Sequence, residues 1–365
     1  MVVPKVVRSW CKVSVAGGIL IYAIILIHLH FELTPRHGRV SDHVTAKTRA
    51  RQLIILSHPR SGSSLTGDIL QHATQSFYVF EPLHALENML FQNITSMRLL
   101  NGNTVRIAHT NFISRSLEIL EAYMTCNFRS LHYRFLIDGL HLMSHKHIPF
   151  LTCVDKVSKS TTNTEHCVNT CLALLETACQ TSSFIVIKTV RMAMADLVSL
   201  MVRYSTLHLL HLVRDPRAVL YSKSKFGVAL GINTHIKAKA ECDSLLRDIN
   251  NTMIYRERFP SRVETLYYET LAARPLETSE ALYKQYGLIF TEEIRYHIYT
   301  VTSAGRESKC SSFNGLCLES SNSSKNSNLW KRQLSRKMIA IIDRSCNTLY
   351  TETNYFYNRM SVRRN

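Results

Sequence analysis

Short apolar runs alternate along the chain with longer stretches in which apolar residues recur at helical spacing. The apolar runs predict buried strands at 53–56, 79–80, 184–188 and 207–213, and a weaker one at 263–267. The helical spacing predicts helices at 114–126, 189–204, 236–259, 276–286 and 330–350. Strands separated by long helical connections indicate an α/β fold, in which helices cover both faces of a central parallel sheet. Ligands bind such sheets at the carboxyl ends of the strands.

The N-terminal part of the chain has a different pattern. Residues 13–31 form an almost uncharged apolar run, just long enough for one transmembrane helix. Lys5, Arg8 and Lys12 precede it, which predicts a cytoplasmic tail at 1–12. A cleaved signal peptide is the alternative, but no small-x-small cleavage site follows the run. We therefore expect a signal anchor at 13–31, a short polar stem at 32–51 and a lumenal domain at 52–365.

Charge and cysteine content narrow the class of protein further. The formal net charge of +17 predicts an anionic partner, but the basic residues are scattered, so a nucleic acid is not expected. Of the ten cysteines, nine follow the apolar run, so full pairing would leave one of them free. Cys167 and Cys171, beside His166, lack the second ligand pair of a zinc site. Structural disulfides are the preferred interpretation, including a closure of the 309–328 loop by Cys310 and Cys317.

The segment from residue 57 to residue 70 carries the first chemical signal. A strand, a loop rich in Gly and Ser, and a helix start follow one another, an arrangement that points backbone N–H groups at one anion. The ATP-type loop requires a Lys after its last Gly, whereas Asp68 follows Gly67 here. An ordinary strand-to-helix turn is the alternative. The candidate anion-binding residues are Arg60, Ser61, Gly62, Ser63, Ser64, Leu65 and Thr66.

A second segment follows the predicted strand at 207–213. Arg214 leaves the strand at its carboxyl end, Asp215 and Pro216 suit a helix start, and Ser222 lies two helical turns further on. A guanidinium and a hydroxyl that converge in this way form a suitable phosphate site. Taken alone, the segment is equally consistent with an ordinary capped helix.

Together, the two segments resemble the 5′- and 3′-phosphate motifs of sulfotransferases that use 3′-phosphoadenosine 5′-phosphosulfate (PAPS). The form of the two motifs in this chain is similar to that in the Golgi carbohydrate sulfotransferases. Those enzymes sulfate the 6-hydroxyl of galactose, N-acetylgalactosamine or N-acetylglucosamine. Segments 80–84, 187–191, 267–276 and 325–334 also resemble that family, so the resemblance covers about 52–350. The chain departs from the pattern of that family at two places. His58-Pro59 precedes the first Arg, and Tyr267 stands where the family has an Arg.

The resemblance implies a P-loop-like sulfotransferase fold that transfers sulfate from PAPS to a sugar hydroxyl without a metal. Residues 60–66 would hold the 5′-phosphosulfate, Arg214 and Ser222 the 3′-phosphate, and Lys325 would also contact the donor. Glu81 is the expected catalytic base, and His84 is the competing candidate. The residues expected to bind substrate are Lys188, Arg191 and Trp330.

The resemblance also implies a single-pass type II protein of the Golgi membrane with a glycan or proteoglycan acceptor. A homodimer is a further hypothesis. Sequons at Asn93, Asn250 and Asn322 are candidate glycan sites in a lumenal domain. Two alternatives remain open: a protein-tyrosine or heparan-type sulfotransferase, and a non-catalytic glycan-binding relative. A kinase is disfavoured by the missing Lys.

Overall fold

The computed structural model describes residues 50–303 and 322–353. The predicted cytoplasmic tail, transmembrane segment and stem lie outside this range, apart from residues 50 and 51, and so do Cys310 and Cys317. Among the helices of the described residues, none combines the length and apolar character that a membrane span requires.

A parallel sheet forms the centre of the described chain. Its five strands are arranged in the order β2-β5-β1-β6-β7, and every neighbouring pair is parallel. Two further strands, β3 and β4, form a separate antiparallel hairpin. The strands are β1 (Arg51–Ser57), β2 (Ser76–Phe80), β3 (Ser96–Arg98), β4 (Thr104–Arg106), β5 (Phe184–Thr189), β6 (Leu207–Val213) and β7 (Val263–Tyr267).

Helices connect the strands and cover the sheet. The α-helices are α1 (Ser63–Gln71), α2 (His84–Phe91), α3 (Phe112–Met124), α4 (Tyr133–Leu136), α5 (Ile148–Ser158), α6 (Thr164–Gln180), α7 (Val198–Arg203), α8 (Pro216–Ser224), α9 (Thr234–Arg258), α10 (Tyr268–Ala273), α11 (Pro275–Gln285), α12 (Glu292–Thr302), α13 (Ser323–Ser327), α14 (Trp330–Gln333), α15 (Arg336–Ser345) and α16 (Asn347–Glu352). Short 3₁₀ helices lie at His109–Asn111, Phe128–Ser130, Gly139–Met143, His145–His147 and Met194–Leu197.

Alternate residues of β1 enter two different cores, because successive side chains of a strand point to opposite faces. Ile54 and Leu56 pack on one face with buried residues of α3 and α6. Leu53 and Ile55 pack on the other face with residues of α1, α11 and α12. All four side chains are buried, which confirms the predicted parallel sheet with helices on both faces.

Two predicted helices differ from the structure. The helix expected at 189–204 begins only at Met194, because the backbone first turns after β5 and brings Arg191 toward Glu81. The helix expected at 330–350 is divided into α14, α15 and α16. Leu334 is extended there, and the Ser335 side chain accepts a hydrogen bond from the Met338 backbone N–H, which starts a new helix.

Three disulfides cross-link the described chain. Cys126 pairs with Cys179, Cys153 with Cys171, and Cys242 with Cys346. Within the described residues, Cys167 is the free cysteine, and it is buried. Because Cys171 is bonded to Cys153, it is unavailable as a partner of Cys167 in a metal site.

The Cys242–Cys346 disulfide closes a far longer loop than Cys153–Cys171, with sequence separations of 104 and 18. A disulfide lowers the entropy of the unfolded chain, and this effect grows with the length of the closed loop. The longer loop should therefore stabilise the folded state by about 1.5 kcal/mol more than the shorter one. We expect the Cys242→Ala/Cys346→Ala variant to lose that much more free energy of unfolding than Cys153→Ala/Cys171→Ala. Guanidinium denaturation of both double variants measures the difference. An equal loss in both would contradict the loop-length explanation.

Candidate active site

A pocket of about 520 Å³ lies beyond the carboxyl ends of the parallel strands. Residues just after β1, β2, β6 and β7, and residues at the end of β5 and beyond it, line the pocket. The predicted site residues in the lining are Arg60, Gly62, Ser63, Ser64, Leu65, Glu81, Lys188, Arg191, Arg214 and Ser222. Those outside the lining are Ser61, Thr66, His84, Lys325 and Trp330.

The loop between β1 and α1 has an unusual backbone. Arg60 and Gly62 both adopt positive φ angles, 74° and 95°. A Cβ atom at Gly62 would lie 2.2 Å from Cδ2 of Tyr268, closer than real atoms approach. Only glycine suits this position, because it satisfies both the left-handed backbone and the contact with the ring.

The first turn of α1 opens into the pocket. Gly62 is its N-cap and supplies no side-chain hydrogen bond, while Ser63, Ser64 and Leu65 line the pocket. The first backbone N–H groups of a helix have no partner within the helix, and the helix dipole is positive there. Thr66 is buried behind the loop, and its N–H and hydroxyl both donate to the carbonyl of Gly62. This end of α1 is therefore suited to hold an anion.

Two guanidinium groups lie beside this helix end. Arg214 donates from Nη1 to the carbonyl oxygen of Arg60 at 2.8 Å, and Arg60 donates from Nε to Ser222 Oγ at 3.1 Å. Arg214 lies over the ring of Tyr268 and Arg60 over that of Phe226. Among the ion pairs of the described residues, neither arginine has a carboxylate partner.

The electrostatics of this pair favour an anion. Burial, and then the charge of Arg214, lower the pKa of Arg60. The Nε of Arg214 is buried and, within the described residues, lacks a hydrogen-bond partner. A phosphate oxygen would supply the missing acceptor and reduce the repulsion between the two cations.

A second charged cluster occupies the ends of β2 and β5. Glu81 is buried with a φ of 52°, and its N–H donates to the carbonyl of Lys188. Its Oε1 accepts from Lys188 Nζ at 2.5 Å, and its Oε2 accepts from Arg191 Nη1. Arg191 also pairs with Glu87. This cluster holds its own carboxylate, unlike the Arg60–Arg214 pair.

The two cations of this cluster respond differently to their surroundings. Burial lowers the pKa of Lys188, although the carboxylate of Glu81 acts in the opposite direction. Burial would also lower the pKa of Arg191, but Glu81 and Glu87 outweigh burial and raise it.

His84, the other candidate base, begins α2. Its Nδ1 lies 2.8 Å from Oδ2 of Asp138, and its side chain is 27% exposed. It is absent from the described lining of the pocket. Of the two candidates, Glu81 is therefore the one in contact with the space available to a ligand.

The C-terminal candidates have other contacts. The ring of Trp330 is buried and lies 4.2 Å from Cζ of Arg217, which pairs with Asp215. The side chain of Lys325 is exposed, whereas the neighbouring Asn326 lines the pocket. Trp330 thus packs behind α8.

His58 fixes the base of the loop after β1. Its Nδ1 lies 2.9 Å from Glu241 Oε1, and its Nε2 lies 3.1 Å from Asp248 Oδ2, both on α9. Burial would lower the pKa of His58, but the two carboxylates outweigh burial and raise the pKa to about 9. A protonated His58 therefore joins the loop to α9 at neutral pH.

Several lining residues were missed by sequence reasoning. Tyr268, the first residue after β7, contacts both Gly62 and Arg214, and its place at a strand end was the available signal. Tyr221 precedes Ser222 on α8, and Lys225 is the C-cap of the same helix. Helical spacing from Ser222 could therefore have identified both. Asn326 lies in the segment 325–334, whose resemblance to the carbohydrate sulfotransferases was the available signal.

Comparison with known proteins agrees with this arrangement. Residues 52–292 match the profile described as "Sulfotransferase family". Carbohydrate sulfotransferase 4 of Mus musculus is 26% identical over 292 residues, which cover 73% of this chain and 74% of the relative. Carbohydrate sulfotransferase 1 of Danio rerio is 23% identical over 332 residues, covering 84% and 78%. Carbohydrate sulfotransferase 3 of Rattus norvegicus is 24% identical over 326 residues, covering 84% and 68%. Because the profile spans more than half of the chain, the chain belongs to the sulfotransferase family and is a sulfotransferase.

Proposed function

We propose that this enzyme transfers a sulfuryl group from PAPS to a hydroxyl of a glycan. The observation that carries the proposal is the pair Arg60 and Arg214, two cations without a carboxylate beside the open first turn of α1. A donor with phosphates at both its 5′ and 3′ positions suits an extended anion site of this kind. The glycan class of the acceptor is supported by the relatives, which are named as carbohydrate sulfotransferases.

The donor supplies a sulfuryl group and leaves as adenosine 3′,5′-bisphosphate. In our proposal, the backbone N–H groups of Ser63, Ser64 and Leu65 bind the 5′-phosphosulfate, and Arg60 neutralises its charge. Arg214 and Ser222 bind the 3′-phosphate. Because these groups are fixed before the reaction, little reorganisation is needed to stabilise the departing phosphate.

Glu81 is the base we propose for the acceptor hydroxyl. Both of its oxygens are engaged by cations, so the acceptor hydroxyl competes with Lys188 and Arg191 for the carboxylate. A bound anion would attract the ammonium of Lys188 away from Oε1, which frees that oxygen. Lys188 would then contact the donor, while Arg191 keeps the carboxylate oriented. Donor binding would in this way prepare the base.

We further propose that residues 13–31 anchor the enzyme in the Golgi membrane, with the catalytic domain in the lumen. Three disulfides are typical of such an oxidising compartment. Asn93 and Asn322 are exposed, which suits a glycan. The sequon at Asn250 lies within α9, and its Thr252 is buried and bonded to His211, so it is the weakest of the three.

We expect the purified full-length chain to transfer labelled sulfate from PAPS to glycans that end in galactose, N-acetylgalactosamine or N-acetylglucosamine. Product linkage analysis would test the 6-hydroxyl as the acceptor position. Transfer to a tyrosine peptide or a heparan-type chain instead would support the alternative substrate classes. Glycan binding without transfer would support a non-catalytic relative and contradict the proposal.

Removal of the Arg214 guanidinium should weaken nucleotide binding. We expect Arg214→Ala to raise the dissociation constant for adenosine 3′,5′-bisphosphate by about 10- to 100-fold, since a charged hydrogen bond contributes roughly 1.5–3 kcal/mol. Isothermal titration calorimetry measures the change. Arg247→Ala is the matched control, because Arg247 is exposed on α9 and the substitution removes the same charge. Equal affinities for both variants would contradict the donor assignment.

Neutralisation of Glu81 should remove catalysis while nucleotide binding persists. We expect Glu81→Gln to lower kcat by about 100- to 10,000-fold, the usual contribution of a general base. His84→Asn is the matched variant, and it should retain most of the activity because His84 lies outside the pocket lining. Sulfate transfer and calorimetry on both variants separate chemistry from binding. If His84→Asn instead lost far more activity than Glu81→Gln, His84 would be identified as the base.

A further inference from the structure

A cluster of potential metal ligands lies at the opposite end of α1 from the phosphate-binding loop. Asp68 is near the end of α1, His72 is its C-cap, and His297 comes from α12. One ligand atom from each lies within 4.8 Å of the other two. His297 Nε2 is 2.7 Å from Asp68 Oδ2. No step of the proposed sulfuryl transfer uses these side chains.

Two of the three ligands are already oriented by a second contact. His72 Nδ1 lies 2.8 Å from the carbonyl oxygen of Asp68, which leaves Nε2 for a ligand. Gln71 Nε2 donates to Asp68 Oδ1 at 2.8 Å, which leaves Oδ2. Histidines that bind metals characteristically donate their other ring N–H to a carbonyl or carboxylate. His72 and Asp68 therefore have the outer hydrogen bonds that are typical of metal ligands.

The rings of the cluster lie close together. Those of His72 and His297 stack with centroids 3.5 Å apart and planes inclined by 21°. Because the nitrogen lone pairs lie in the ring planes, one ring must turn about its side-chain bonds for both nitrogens to reach one ion.

The carboxylate of the cluster is buried, since Asp68 is 4% exposed. A buried carboxylate beside two imidazoles is a typical oxygen and nitrogen ligand set for zinc.

We propose that Asp68, His72 and His297 bind a Zn²⁺ ion, with a water molecule in the fourth position of a tetrahedral site. The ion would replace the hydrogen bond between His297 Nε2 and Asp68 Oδ2. The neutral His297 ring would then carry its proton on Nδ1, so that Nε2 is free to bind the ion. Its role is structural, because it joins the end of α1 to α12. The site is independent of the proposed sulfuryl transfer.

Titration with zinc chloride tests the site directly. After treatment with a chelator and dialysis, the full-length chain should take up one equivalent of zinc by calorimetry. We expect His72→Gln and His297→Gln each to weaken uptake at least about tenfold, because glutamine is a poor zinc ligand. Zinc should raise the thermal unfolding midpoint of the wild type but not of these variants.

His166→Ala is the matched control, since His166 is exposed on α6 beside Cys167 and outside the cluster. It should bind zinc as the wild type does. Substitution by Co²⁺ should give the visible spectrum of a tetrahedral site without a thiolate band. The proposal would be overturned if zinc uptake did not saturate or if the glutamine variants took up as much zinc as the wild type. A thiolate band, which identifies a cysteine ligand, would also overturn it.

Discussion

Two guanidinium groups without a carboxylate between them impose the main physical constraint on this molecule. Arg60 and Arg214 repel each other and lie partly buried, so the surrounding structure must hold them in place. The ring of Tyr268 supports Arg214 and fills the space that a side chain at residue 62 would need. Gly62 in turn permits the backbone turn that exposes the first N–H groups of α1. One tyrosine thus links the arginines to the open first turn of α1.

The same sheet edge carries a second cluster with the opposite arrangement. Glu81 neutralises Lys188 and Arg191 before any ligand arrives, whereas the arginine pair lacks an internal counterion. The pocket is thereby divided into a part that requires an external anion and a part that already holds a carboxylate. This division agrees with a reaction that needs one group to bind an anionic donor and another to accept a proton. Parallel strands bring both clusters to one edge, because all of them end on the same side.

Local patterns predicted the strands at 207–213 and 263–267 with their observed bounds, and they identified the segments 60–66 and 214–222, each of which leads from a strand into a helix. The strand order depends on packing between distant segments, which no local pattern records. In the sheet, β5 lies between β1 and β2, so Lys188 meets Glu81 although 107 positions separate them. Asn326 reaches the pocket for the same reason. The roles of the individual site residues stay predictions, since geometry alone does not assign chemistry.

The helix α1 connects the two proposals through its dipole. A helix favours an anion at its first turn and a cation at its last. The donor phosphate would lie at the first end, beside Ser63, and the zinc ion at the other, beside Asp68. A carboxylate near the last turn is unfavourable by itself, because it faces the negative end of the dipole. The neighbouring histidines offset that cost in part, and a divalent cation would offset it further. Both ligands would therefore stabilise the same helix, each at its own end.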